Sequence, residues 1–186
     1  GKSTLFNALT GLNQSVGNYP GITVDKRIGR CNLEMSSTKA DIIDLPGTYS
    51  LYPKSLEEKL TQQIICNKDN KDYPDVIVVV ADSSNLRKSL LLLSQIIDLK
   101  RRVILALNMI DVSRDMGIVI DKHHLETQLG VPVVSINARK KIGIEDLKTS
   151  ILSVQSPHHQ RLQHQDSNQR KILKQSLTIS CGKMFP

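Results

Sequence analysis

The chain has 186 residues, of which 39% are hydrophobic and 23% charged, enough for the aliphatic core of one domain and an appendage. Aromatic residues are 3% and Trp is absent, which argues against a nucleic-acid module that stacks bases on aromatic rings; no run approaches the roughly 18 apolar residues of a membrane span. The net charge of +7 is uneven: residues 1–153 hold 20 Lys and Arg against 17 Asp and Glu, and residues 154–186 hold five against one, which reads as a solvated basic tail. Cys31, Cys66 and Cys181 are odd in number and scattered, which fits a reducing compartment better than a disulfide framework. The neighbours His123, His124 and His158, His159 cannot share a helix face, so neither pair makes a metal site.

Leu5–Thr10 predicts a helix closed by Gly11. Thr23–Leu33 predicts an antiparallel edge strand, because Asp25, Lys26, Arg27 and Arg30 suit an edge. Lys39–Leu45 is a short strand, and the β-branched run Val76–Ala81 is a strand buried on both faces. Leu86–Leu99 follows as a helix capped by Asn85, with Leu86, Leu90, Leu93 and Ile97 on one stripe. Val103–Leu107 is a strand, Asp121–Leu129 a helix stopped at Gly130, Val131–Ser135 a strand and Ile144–Val154 a helix. This alternation predicts right-handed βαβ units in a mainly parallel sheet with helices on both faces. From Gln155 the composition changes. Residues 155–186 read as a linker or truncated tail, in which Ile172, Leu173 and Leu177 mark a short helix; the domain proper is 1–154.

Three motifs carry chemistry. Gly1-Lys2-Ser3-Thr4, directly before a helix, matches the second half of the phosphate loop G-x-x-x-x-G-K-[ST]: backbone N–H groups cradle phosphate oxygens, Lys2 reaches the β- and γ-phosphates, and the Ser3 hydroxyl ligates Mg²⁺. Asp44-Leu45-Pro46-Gly47 ends a strand and matches D-x-x-G, in which the Asp holds Mg²⁺ through water and Gly47 lets a backbone N–H approach the γ-phosphate. Asn108-Met109-Ile110-Asp111 matches N-K-x-D with Met for Lys; Asp111 accepts two hydrogen bonds from the guanine edge, a donor pair that adenine lacks. Each has a bland reading, as a helix start, a turn or a cap. Their order, each beside a strand's carboxyl end, implies an α/β phosphate-loop GTPase fold. After the strand ending at Ser135, Asn137-Ala138-Arg139 stands where such proteins place a backbone N–H on guanine O6. Thr48 follows D-x-x-G where many GTPases have Gln, so intrinsic hydrolysis is expected to be slow.

Val16-Gly17-Asn18-Tyr19-Pro20-Gly21-Ile22-Thr23-Val24 resembles the first switch of the FeoB family of ferrous iron transporters, and Asp44–Leu51, Ala81–Leu86 and Ala106–Asp111 resemble that family's D-L-P-G-T-Y-S-L, V-D-A-S-N-L and A-L-N-M-x-D. The resemblance covers Gly1 to Leu152. It implies that Gly21, Ile22 and Thr23 approach the nucleotide, that Thr23 ligates Mg²⁺ when a γ-phosphate is present, and that Lys2, Thr23 and Gly47 form the catalytic set. It also implies GTP and GDP as ligands, K⁺ as a further cation, and Fe²⁺ handled by a membrane domain elsewhere. The implied location is the cytoplasmic face of the inner membrane, with no nucleic-acid partner. Two rivals stay open: a soluble GTPase of ribosome assembly or tRNA modification, which usually carries P-G-T-T-R at the first switch, and an incomplete, non-hydrolysing remnant. The chain reads as a fragment that opens inside the phosphate loop. Its first strand is then missing, and the neighbours of that strand are expected to lack ladder partners, with weak nucleotide binding as the result.

Overall fold

The computed structural model describes residues 1–11, 14–33, 38–155 and 176–181. The described elements run α1 (Lys2–Thr10), β1 (Gln14–Asn18), β2 (Asp25–Asn32), β3 (Lys39–Asp44), α2 (Leu56–Cys66), β4 (Val76–Asp82), α3 (Arg87–Asp98), β5 (Val103–Asn108), α4 (Ile110–Asp115), α5 (Lys122–Leu129), β6 (Val133–Ser135), α6 (Ile144–Gln155) and β7 (Ser176–Cys181). They build one seven-stranded sheet in the order β1-β2-β3-β7-β4-β5-β6. β1, β2 and β3 pair antiparallel; from β3 to β6 every pairing is parallel.

Alternation along the central strands divides the core. Val76, Val78 and Val80 of β4 pack with Leu5, Phe6 and Leu9 of α1 and with Leu147 and Ile151 of α6. Ile77, Val79 and Ala81 face the other way, onto Leu60 and Ile64 of α2 and Leu92, Leu93 and Ile96 of α3. A strand whose two faces are both covered has no polar side, hence its unbroken apolar run. One glycine sets how close α1 can lie to the sheet. A Cβ on Gly29 of β2 would stand 2.3 Å from Thr10 Cγ2 and 3.1 Å from Phe6 Cζ.

Three sequence expectations are corrected. β2 is not the edge: Gln14–Asn18, all exposed, pairs antiparallel with it and takes the edge instead. The charges that suggested an edge are engaged laterally, Lys26 with Asp72 and Arg30 with Asp41. Asn85 does not cap α3, whose N-cap is Leu86; the fully buried stripe is Ser89, Leu92, Leu93 and Ile96, with Leu86, Leu90 and Ile97 at its margins. The stripe at i, i+3, i+4 and i+7 that is buried starts at Ser89, whose small side chain hydropathy does not mark as a core position.

The third correction concerns the centre of the sheet. β7 lies between β3 and β4 and is parallel to both. Thr178 is level with Ile43 on one side and Ile77 on the other, and Ile179 with Asp44 and Val78. The expected gap between β3 and β4 is therefore closed by residues from the far end of the chain. Leu177, read as helical, is in this strand; Ile172, Leu173, His158 and His159 lie outside the described residues. No described helix is long and apolar enough to cross a membrane.

Candidate nucleotide site

β3 ends at Asp44, and Leu45, Pro46 and Gly47 lead away from the carboxyl edge of the sheet. The Lys2 ammonium, at the start of α1, donates to Asp44 Oδ1 and to the Leu45 carbonyl. Both side chains are largely buried, and a buried carboxylate of this kind is tolerable only with such a partner. From α2, the Thr61 hydroxyl donates to the Pro46 carbonyl at 3.0 Å and fixes the D-x-x-G turn. Gly1, Ser3 and Thr4 are exposed in the first turn of α1, where the leading N–H groups of a helix lack intrahelical acceptors.

Tyr19–Val24 forms a closed turn. The Tyr19 N–H donates to the Val24 carbonyl at 3.0 Å, and the Ile22 N–H donates to the Tyr19 carbonyl at 3.2 Å. Gly21 holds φ +78°, which favours glycine, and Thr23 is exposed at the tip. A cavity of ≈ 350 Å³ is bounded by Lys2, Thr23, Asp25, Arg27, Asp44 and Pro46, among others. The structure thus brings Lys2, Thr23, Asp44 and Pro46 to one space; Gly21 and Ile22 flank Thr23 in the turn, and Gly47 follows Pro46. Asp25 and Arg27 were not anticipated. Strand alternation links the two to each other, since Asp25 and Arg27 share one face of β2 at period two, directly after the turn that bears Thr23. The hydroxyls of Ser3 and Thr23 and the carboxylate of Asp44 are hard oxygen donors, a set that fits Mg²⁺.

The second cluster stands at the ends of β5 and β6. Asn108 is buried, and its Oδ1 accepts the Ala138 N–H at 3.0 Å. Met109 takes a left-handed conformation, φ 63° and ψ 36°, which is strained for a residue with a side chain and turns the backbone into α4. Asn137 Oδ1 accepts the Lys140 N–H at 3.0 Å, and Asn137 and Ile142 exchange backbone bonds of 3.0 and 3.1 Å. The loop is closed by Gly143, at φ +73°, where a Cβ would lie 2.2 Å from the Ser135 carbonyl oxygen.

Asp111 is half-exposed at the rim of a ≈ 410 Å³ cavity that Asn137, Lys140 and Ile142 also line. Its Oδ1 accepts the Val112 N–H at 3.1 Å and its Oδ2 pairs with Lys140 Nζ at 3.1 Å. The Lys140 hydrogen bond, aided by Asn137 and Val112, holds this carboxyl below the usual carboxylate range. Lys140 was not anticipated; the basic run Arg139-Lys140-Lys141 beside Ala138 is its trace in the sequence.

With this geometry in view, likeness to known proteins is informative. Residues 1–151 match the family described as ferrous iron transport protein B. The Fe(2+) transporter FeoB of Methanocaldococcus jannaschii is 48% identical over 151 residues, 81% of this chain but 22% of that protein. The cytosolic domain of the T. maritima FeoB iron transporter in its GMPPNP form superposes with TM-score 0.77 at 40% identity, covering 84% of this chain and 60% of that one. The G domain of the same transporter gives TM-score 0.75 at 39% identity, covering 84% of this chain and 92% of that one. The sheet, the two residue clusters and these likenesses agree: this chain has the phosphate-loop GTPase fold of a G domain and belongs to the FeoB family of ferrous iron transport proteins.

Proposed function

We propose that this chain binds GTP and GDP with Mg²⁺, hydrolyses GTP slowly, and serves as the nucleotide-responsive part of a ferrous iron transporter at the cytoplasmic face of the inner membrane. The observation that carries the reading is the pairing of two clusters along one sheet edge. Lys2, Thr23 and Asp44 line one cavity, and Asn108, Asp111, Asn137 and Ala138 stand at the neighbouring strand ends. In open α/β sheets ligands are held at this edge.

Each residue then has a definite task. The backbone of Gly1, Lys2, Ser3 and Thr4 receives phosphate oxygens at the positive end of α1. Lys2 neutralises phosphate charge; at present it neutralises Asp44. Nucleotide and metal together would part that ion pair and give each member a partner of opposite charge. Ser3, Thr23 and Asp44 would hold Mg²⁺, which supplies charge neutralisation between the terminal phosphates. Gly47 offers a backbone N–H at the γ-phosphate, with Gly21 and Ile22 carrying Thr23 to it. Asp111 accepts from the guanine edge, displacing Lys140, while Met109 covers the base. The Asn137–Ala138 backbone donates to guanine O6, and Asn108 holds that backbone still. K⁺ is a further candidate cation, to which no residue is assigned.

The test is titration of the 186-residue chain with fluorescent GDP, with and without Mg²⁺, against GTP and ATP as competitors. Guanine-selective binding that strengthens with Mg²⁺, followed by single-turnover release of phosphate from GTP, is expected. Equal competition by ATP would sink the assignment.

A further inference from the structure

Strand β2 carries two sets of side chains. Asp25 and Arg27 border the phosphate-side cavity, so Lys26 between them leaves by the opposite face. There Lys26 Nζ donates to both oxygens of Asp72, at 2.7 and 2.6 Å, with little of either side chain exposed. Asp72 belongs to the connection between α2 and β4, remote from the turn in sequence. Its own N–H donates to Asn70 Oδ1 at 2.9 Å, which fixes the connection locally. The same Lys26 ammonium lies 5.4 Å from the centroid of the Tyr19 ring. Tyr19 is 3% exposed and packs in the core with Leu45, Leu60 and Ile64. Its hydroxyl is buried and makes no hydrogen bond among the described residues. Tyr19 opens the turn that bears Thr23, and Lys26 stands three residues beyond it.

We propose that Lys26 and Asp72, stacked on Tyr19, form a buried clasp that positions Thr23 for the triphosphate state. The inference rests on the GTPase reading above. The turn is bonded to itself through Tyr19, Ile22 and Val24, but those bonds fix its shape and not its place. Its place is fixed at both feet, by the Tyr19 ring in the core and by the ammonium on Asp72. A solvated ion pair would supply little such constraint, but a largely buried pair with two short bonds has few alternative geometries, and losing one partner strands the other charge. Tyr19 packs beside Leu45 of the D-x-x-G turn, but among the described residues no hydrogen bond joins Tyr19, Lys26 or Asp72 to that turn or to the base-side cluster. Their effect therefore falls on the state that needs Thr23. If the clasp keeps the turn in its competent position, releasing it lowers the competent fraction and weakens triphosphate affinity in the same proportion.

The test compares the parent 186-residue chain with Asp72→Asn, Thr23→Ala and the double variant. Affinities for GDP and for GMPPNP are measured with Mg²⁺, and amide exchange is followed without nucleotide. Asp72→Asn is expected to weaken GMPPNP about tenfold and GDP less than about twofold, as a loss of competent population predicts. In the Thr23→Ala background it should add nothing further to the GMPPNP/GDP ratio. Without nucleotide, the amides of Tyr19 and Ile22 should exchange about tenfold faster while those of Ile77–Ala81 keep their rates, the pattern of local opening. Equal losses for both nucleotides, a full additional loss in the Thr23→Ala background, or uniform exchange would each overturn the clasp. A parent that binds no guanine nucleotide would sink the GTPase reading instead, and exchange alone would then decide the clasp. If Asp72→Asn does not fold, Asp72→Glu keeps the pair but displaces it by one methylene. The same selective loss, smaller in size, is expected, and its absence counts against the clasp.

Discussion

The side-chain oxygen of Asn108 and the backbone N–H of Ala138 are joined by a 3.0 Å hydrogen bond between the ends of β5 and β6, and both residues are almost wholly buried. The bond accounts for an Asn at this position: only a short acceptor at the strand end reaches an amide that no strand pairs. Asn108→Ala leaves that N–H unsatisfied, which costs about 1–3 kcal/mol. Thermal unfolding should show the drop. GDP affinity should fall with it, because the Asn137–Ala138 backbone loses its fixed place. Unchanged affinity in a destabilised protein would mean that the bond serves the fold alone.

Asp111→Asn exchanges an acceptor for a donor on one of its two oxygens. The guanine edge then faces a donor, whereas xanthine presents an acceptor there. Losing one charge-assisted bond, weakening the other to a neutral one and setting a donor against a donor should weaken GDP about a hundredfold, and xanthosine diphosphate should gain. In the free protein the Lys140 hydrogen bond holds the Asp111 carboxyl below the ordinary range, so it is already ionised when a nucleotide arrives at neutral or mildly acidic pH. A depressed carboxyl loses its contribution only as pH falls through its folded-state value. Base recognition should accordingly be level between about pH 5 and 8, above the usual Asp range near 3.9. A titration in that window that abolishes selectivity would point to another group.

The strands β3, β4, β5 and β6 and four of the helices could be read from the sequence, because apolar, largely β-branched runs and clear helical periods leave few alternatives. Lys2 and Asp44 stand out as a helix start and a strand end, both local features, and they line one cavity; Asp25 and Arg27, which line it too, do not stand out in this way. β7 could not be read, because Leu177 falls in a stretch of the sequence without a clean period, and neither could three further features. β1 is short and fully exposed, so it has no apolar alternation to betray it. α2 begins at the cap Ser55 but buries only Leu60, Thr61, Ile64 and Ile65, too few for a clear stripe beside its charges. The partner of Lys26 is 46 residues away, and no periodicity links Lys26 to Asp72.

Thr48 is 1% exposed, and its hydroxyl is committed to a turn: it donates to the Ser50 carbonyl at 2.6 Å and accepts the Ser50 N–H at 3.2 Å. A hydroxyl engaged on both sides has little left for orienting water. Thr48→Ala should leave the single-turnover rate of bound GTP within about twofold while costing about 1 kcal/mol of stability, the usual worth of such a bond. A collapse of the rate in a folded Thr48→Ala protein would make Thr48 catalytic after all.

The last prediction concerns β7. β3 and β4 each carry a row of ladder groups toward the strand between them, and β7 meets both rows with parallel pairing from Leu177 to Ile179. Thr178 is the midpoint of that shared register, level with Ile43 and with Ile77. A proline there removes a ladder donor and brings a ring into a central strand, where it is not tolerated; the partner left without its hydrogen bond alone costs about 1–3 kcal/mol. Against a domain stability of about 5–15 kcal/mol this is a large share. In the 186-residue chain, Thr178→Pro should lower the unfolding midpoint sharply and weaken GDP binding, because Asp44 at the end of β3 is level with Ile179. Thr178→Val, which suits a strand, should do neither. Equal stability and binding in the proline variant would show that β3 and β4 do not depend on residues 176–181 in solution.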